Sequence, residues 1–359
     1  MRALKDVYVT PSNGLKIRVS AVRLRPWPCC CAAKRWNKQL VRGIVAERHH
    51  VPLNMRTASM ETEVKSQWYL EVPPSPDLLP WISHFRVICG PAPSSGVPTT
   101  LRLLTDGCAG VVIDCGPSAL ATPPVFMGVM QAATVVTLGE SRELIGVRFK
   151  PGGALPFVTS SLHELTGLRV PLPLLWGDLA HELGNAVRSA TFSERIPALE
   201  HCLRGRMRQQ QSAASRRQAS PSPREVALVA QAIVHLGQEA AVRVSDVAAA
   251  LGVGDRRLER VFNRAVGVPP KVFHRMRRCC EAARLIRHAC GEPPHATVNT
   301  TLKQNIARCN WPAIGSAAGY ADQAHFIREF RALTGVTPVA YATEHHPVGF
   351  MQYDGSCPG

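Results

Sequence analysis

The period of the apolar positions changes along this chain. In residues 67–205 they fall first into short runs, at 101–104, 110–114, 125–130 and 143–149, rich in Val, Ile, Leu and Phe and bounded by turn-forming residues. Such runs predict β-strands. The last one ends at Lys150-Pro-Gly-Gly153, a turn by composition. A helical period follows. Residues 154–158 open one helix, Leu175, Leu179 and Leu183 recur at i, i+4 and i+8 within 174–187, and 196–207 read as another. From residue 224 every apolar stripe is helical. Val226, Val229, Ile233 and Leu236 mark one helix, and Val247, Ala248 and Leu251 the inner face of the next, with Ser245 as its expected N-cap. Leu258, Val261, Phe262 and Ala265 face inward along 255–266. A long helix over 271–289 carries Phe273, Ala282 and Leu285. The last helical pattern is entered at Asp322 and buries Phe326, Phe330 and Leu333.

One stretch occurs twice. A constant offset pairs Leu258 with Phe326, Arg260 with Arg328, Phe262 with Phe330, Gly267 with Gly335 and Pro270 with Pro338; Gly252 pairs with Gly319 after one residue of slippage. Each copy reads as helix, glycine-bearing turn, helix and a Gly/Pro stop. Gly252 and Gly254 form the first turn. Gly319 forms the second, and Asp322 caps the helix after it. The expected fold class is an α+β sensor-type domain followed by an all-α DNA-binding domain with two helix-turn-helix subdomains.

Charge sharpens the division. The chain of 359 residues carries a formal net charge of +16. Residues 1–66 hold +9 of it and look like a basic, disordered extension, with Met55 or Met60 as an alternative start. Residues 67–205, the sensor or dimerisation domain, are near neutral at −2. Residues 206–223, polar and rich in Gln, Ser and Arg, read as a linker of +4. Residues 224–343 form the basic helical domain, with an insertion near 290–310, and 344–359 a tail. No apolar run reaches membrane-spanning length and the N-terminus lacks signal-peptide order, so a soluble cytoplasmic protein without membrane contact is expected.

A basic domain with two such units points to double-stranded DNA. On the first unit Arg256, Arg257, Arg260 and Arg264 lie opposite the apolar stripe. Arginine bonds guanine O6 and N7 bidentately or clamps phosphates. On the second, Gln323, Ala324, His325, Arg328 and Arg331 are available; Gln suits adenine and Ala a thymine methyl. A solvated basic face would have the same composition, and His325 suits phosphate contact and packing equally. No catalytic site, metal site or cofactor is expected. The twelve cysteines include no Cys-x-x-Cys pair and read as small buried apolar residues. His288, Cys290, His295 and Cys309 fit no usual zinc spacing. Asp106, Asp114, Glu140 and Glu143 have no evident catalytic partner, and no Gly-x-Ser-x-Gly elbow occurs.

The pattern Ile314-x4-Gly319-Tyr-x-Asp322-Gln-x-His-Phe326-x-Arg-x-Phe330-x4-Gly335-Val-Thr-Pro338 gives residues 224–343 a resemblance to the DNA-binding domain of the AraC/XylS transcriptional regulators. Residues 67–205 resemble a sensor-type domain often placed ahead of it, through Leu104-x-Asp106-Gly107, 146–153 and the Leu-rich helices after Pro171. The resemblance implies a transcription regulator, an activator or a repressor, whose two recognition helices read successive major grooves about 34 Å apart. It further implies RNA polymerase as a partner, a small-molecule effector and a homodimer as candidates, and no enzyme activity. Three features depart from the family: Gly254 replaces Ser, Gly315 replaces Ala and should loosen its helix by about 1 kcal/mol, and the insertion is expected to loop out. Two alternatives remain. A DNA-repair alkyl acceptor would need a zinc-held cysteine cluster, for which Cys29, Cys30 and Cys31 are the only crowded site. A sequence-neutral DNA binder would act through the basic arm.

Overall fold

The computed structural model describes residues 7–9, 17–19, 68–89, 99–116, 122–138, 143–214, 222–238, 242–290 and 300–344. A sheet-rich part comes first and an all-helical part follows. Strands β1 (Val7–Val9) and β2 (Ile17–Val19) pair with each other; the rest of the proposed N-terminal extension lies outside the described residues. Strands β3 (Trp68–Val72), β4 (Ile82–Cys89), β6 (Gly110–Asp114), β7 (Val125–Met127), β9 (Glu143–Phe149) and β10 (Arg169–Pro171) form a six-stranded antiparallel sheet in the order β10-β7-β6-β9-β4-β3. Strands β5 (Thr99–Leu103) and β8 (Thr134–Leu138) form a separate pair.

Alternation sends one side of each central strand inward. Phe85 and Val87 of β4, Val111 and Ile113 of β6, and Ile145 and Val147 of β9 are buried on one face, with Phe85 opposite Val147 and Val111 opposite Val147 across the ladders. Helices α1 (Pro173–Trp176), α2 (Asp178–Ser189) and α3 (Arg195–Ala214) follow the sheet, contributing Leu183, Val187, Leu199 and Leu203 to the same core. The single helix expected over 174–187 is broken at Gly177, whose φ is +61°. The pattern at 154–158 yields only a 3-10 turn, Leu155–Phe157.

The linker begins later than its composition indicates. Helix α3 continues through Ala214, and Arg206 inside it is buried. Its guanidinium donates to the carbonyls of Phe157 and Leu175 and stacks 5.5 Å from the Trp176 ring. Burial pulls its pKa down to about 10. A polar residue is thus anchored by carbonyls that no local pattern reveals.

The helical part comprises α4 (Pro223–Gln238), α5 (Val244–Ala250), α6 (Asp255–Val266), α7 (Pro270–Cys290), α8 (Thr300–Arg308), α9 (Trp311–Ala317), α10 (Gln323–Thr334) and α11 (Pro338–Thr343). The core around α4, α5 and α6 is continuous with that of the sheet. A second core gathers the C-terminal half of α7 with Ile306, Ile314, Phe326, Phe330 and Tyr341. Long α7 serves both: Phe273 meets Phe262 edge to face at 5.4 Å, while Cys279 and Ile286 enter the second core.

The insertion does not simply loop out. Residues 300–308 are helical, and Ile306 is buried in the second core; residues 291–299 lie outside the described residues. Deleting 294–306 would remove that anchor. The expected result is a loss of at least about 2 kcal/mol, read as a lower Tm against the full chain; an unchanged Tm would show that α8 is dispensable.

Candidate nucleic-acid interface

Helices α5 and α6 join through a turn in which Gly252 has φ +65°, and α9 and α10 through one in which Gly319 has φ +81°. Residues with a Cβ rarely adopt this conformation. Both second helices also end on left-handed glycines, Gly267 and Gly335, whose amides donate to Asn263 and Arg331. The repeat in the letters is therefore a repeat in the backbone.

On α6 the apolar positions Leu258, Val261, Phe262 and Ala265 are buried, whereas Arg256, Arg257, Arg260 and Arg264 are all exposed. Positions 256, 260 and 264 are four apart and so form one line along the helix, with Arg257 beside it. On α10, Phe326, Phe330 and Leu333 are buried and Gln323, Ala324, Arg328 and Arg331 are exposed. His325 is half-buried; its ring nitrogen Nδ1 accepts from the Ala321 amide at 3.4 Å and its edge meets Tyr320.

The helix starts differ from one another. Asp322 caps α10, its Oδ1 accepting from the His325 amide at 2.7 Å. Gly254 occupies the N-cap of α6 without a side-chain bond, and Asp255 follows in the first turn, favourable to the helix dipole. Ser245 is not a cap. Helix α5 already starts at Val244 with Arg243 as N-cap, and the Arg243 carbonyl accepts from Asp246 and Val247. The chain turns into the helix earlier than Ser245, which places its hydroxyl inside the first turn, near the Asp246 carboxylate.

Other arginines are occupied structurally. Arg275 of α7 grips the Glu329 carboxylate with two bonds of 2.7 and 3.1 Å, holding that acid below its ordinary pKa. Arg278 donates to the Gly319 carbonyl and lies over the Tyr320 ring at 4.9 Å. Arg287 donates to the Tyr341 hydroxyl. The first two contacts fasten the α9–α10 pair to α7 and the third fastens α11 to it, so Arg275, Arg278 and Arg287 are occupied within the fold.

The sheet-rich part touches the ends of both second helices, which the sequence did not indicate. Thr166 donates to the Gly267 carbonyl at 2.6 Å. Arg102 donates to the Thr334 carbonyl and clasps Glu344 with two bonds, each of these three at 2.8 Å. The Ala133 amide donates to the Leu333 carbonyl at 2.7 Å. The partners of Arg102 lie more than 230 residues away in the chain, beyond the reach of any local pattern. Among the described residues no group of three or more His, Cys, Asp or Glu is placed to hold a metal ion, and no helix is long and apolar enough to cross a membrane. Cys29, Cys30 and Cys31, on which the alkyl-acceptor alternative depends, lie outside the described residues.

Residues 70–171 match a sequence family described as a domain of unknown function, DUF6597. No curated protein sequence matches the chain. Two solved structures of ToxT from Vibrio cholerae are similar, each at 10% identity over 77% of this chain. One covers 97% of that protein with a TM-score of 0.33; the other, described as bound to an unsaturated fatty acid, covers 91% with a TM-score of 0.32.

Proposed function

We propose that this protein is a sequence-specific double-stranded DNA-binding transcription regulator in which α6 and α10 are the recognition helices of two helix-turn-helix units. The observation that carries the reading is the repeated pair of helices with matching left-handed glycine stops, each presenting exposed arginines from its second helix. Such a helix suits the major groove, where arginine reads guanine or fixes the phosphates. The motif resemblance of residues 224–343 to the AraC/XylS regulators supports the same reading. Promoter binding next to RNA polymerase follows from it, and a small effector or a second copy of the chain would act through the sheet-rich part. Catalysis has no role in this proposal.

In-vitro selection of DNA sites by the purified protein at near-physiological salt tests it. Two enriched half-motifs about one helical turn apart are expected. Enrichment of nothing, with steep salt dependence, would replace this reading with sequence-neutral binding. Arg260→Ala and Arg328→Ala should each cost about 1–3 kcal/mol of binding, roughly 5- to 150-fold in Kd. Both side chains are exposed, so Tm should stay unchanged. Unaltered affinity in both variants would overturn the assignment of the recognition helices.

A further inference from the structure

Cys290 is the last residue of α7, and Cys309 directly precedes Asn310, the N-cap of α9. Their sulfurs lie 2.7 Å apart, closer than two unbonded sulfurs ordinarily approach, although the residues are 19 apart in sequence. Both are free thiols. Among the described residues no other two thiol sulfurs are in hydrogen-bonding contact. The surroundings hold the pair in place. Asn305 of α8 donates its side-chain amide to the Cys290 carbonyl at 3.1 Å, the Cys309 amide donates to the Ile306 carbonyl, and Ile306 is buried in the core that Cys290 also enters.

We propose that Cys290 and Cys309 form a reversible disulfide that fixes the inserted segment and, with it, the position of the α9–α10 pair relative to α7. Cys309 is half-exposed and Cys290 is 1% exposed, so an oxidant in solution meets Cys309 first. With a low-molecular-weight disulfide as oxidant, the Cys309 thiolate attacks one of its sulfurs and the first thiolate leaves, taking up a proton. The Cys290 sulfur then attacks Cys309 in the mixed disulfide, loses its proton, and the second small thiolate leaves as a thiol. Two protein thiols are oxidised and one small disulfide is reduced to two thiols. Burial and the adjacent Cys309 sulfur push the Cys290 thiol up to about 12, so Cys290 is the poorer first nucleophile of the two. In a reducing compartment such a pair rests as thiols and responds to oxidant, unlike a permanent structural bridge.

The bond would close a loop across the insertion and restrict the unfolded chain, raising Tm by about 5 °C. Its consequence for DNA rests on the function proposed above. Fixing the second unit removes an ordering cost, so the oxidised protein should bind a site with both half-motifs on the order of tenfold more tightly.

The test uses the full chain treated with oxidised glutathione, then alkylated, digested and weighed. The expected result is a linked pair of peptides containing 290 and 309, reversed by dithiothreitol and accompanied by the rise in Tm. Cys309→Ser, at a half-exposed position, should abolish both effects while keeping the native circular dichroism; Cys290→Ser should do the same. Alkylation of both thiols after oxidant, a persistent glutathione adduct on Cys309, or stoichiometric zinc holding the two sulfurs would overturn the proposal. A cross-link that leaves DNA affinity unchanged would keep the thiol pair and overturn its regulatory consequence.

Discussion

Phe326→Ala is expected to cost about 3–5 kcal/mol of stability and, on the function proposed above, to abolish DNA reading by the second unit while sparing the first. Phe326 is fully buried, with ring centroids 5.2 Å from Tyr320 and 5.7 Å from Phe330, which in turn meets Tyr341 at 5.4 Å. The walls around it are fixed from α7: Arg278 lies over Tyr320 and Arg287 bonds Tyr341. A cavity there has little means of collapsing, which places the cost in the upper part of the range for large-to-small changes. The core of this unit is distinct from the one shared by the sheet and the first unit, so the damage should be local. Hydrogen exchange should accelerate in 311–343 and hardly at all in 244–266, and DNA selection should retain one half-motif. A stability loss below about 1 kcal/mol in urea titration would show that the ring cluster does not hold the unit together.

Gly315 belongs to the same cluster. As a helix-interior glycine it should weaken α9 relative to Ala. Yet a Cβ at that position would lie 3.1 Å from Phe326, tighter than ordinary contact. The glycine lets α10 approach α9 closely, and an added Cβ there would press on the Phe326 ring.

The helical half was largely legible in the sequence because its signals are local. The stripe Leu258, Val261, Phe262, Ala265 marks the buried face of α6, and the glycines at 267 and 335 mark both stops. Strands β6 and β9 were legible as short apolar runs bounded by turn-forming residues. Strands β3 and β4 were missed. In β4 the register shifts between Ile82 and His84, and a bulge there breaks the two-residue period by which strands are recognised. Helix α8 was hidden behind a Gly/Pro-rich stretch that reads as loop. The contacts of Thr166 and Arg102 with the ends of α6 and α10 are set by tertiary proximity alone, and so are the Cys290–Cys309 approach and the anchoring of Arg206.

Asp106→Ala is expected to cost about 3–5 kcal/mol, through the joint between the sheet and α7. Asp106 is 1% exposed and pairs with Arg148 of β9, and its carboxylate also accepts from the Cys108 amide. Cys280 of α7 donates to the carbonyl of the neighbouring Thr105. Removing the carboxylate leaves the Arg148 guanidinium inside without this counter-charge, the costly way to break a buried pair. Burial alone would push the Asp106 carboxyl up, but the Arg148 guanidinium, by charge and hydrogen bond, holds it below the usual value of 3.8. A folded pKa below the unfolded one means that the ionised form stabilises the fold at every pH above the unfolded value, and that this contribution fades as pH falls through the folded value. Urea titrations of both proteins should therefore differ by a constant amount from pH 6 to 8 and converge below about pH 4. A gap that persists undiminished at acid pH would mean that the variant fails through packing at the joint, and that the ion pair contributes little.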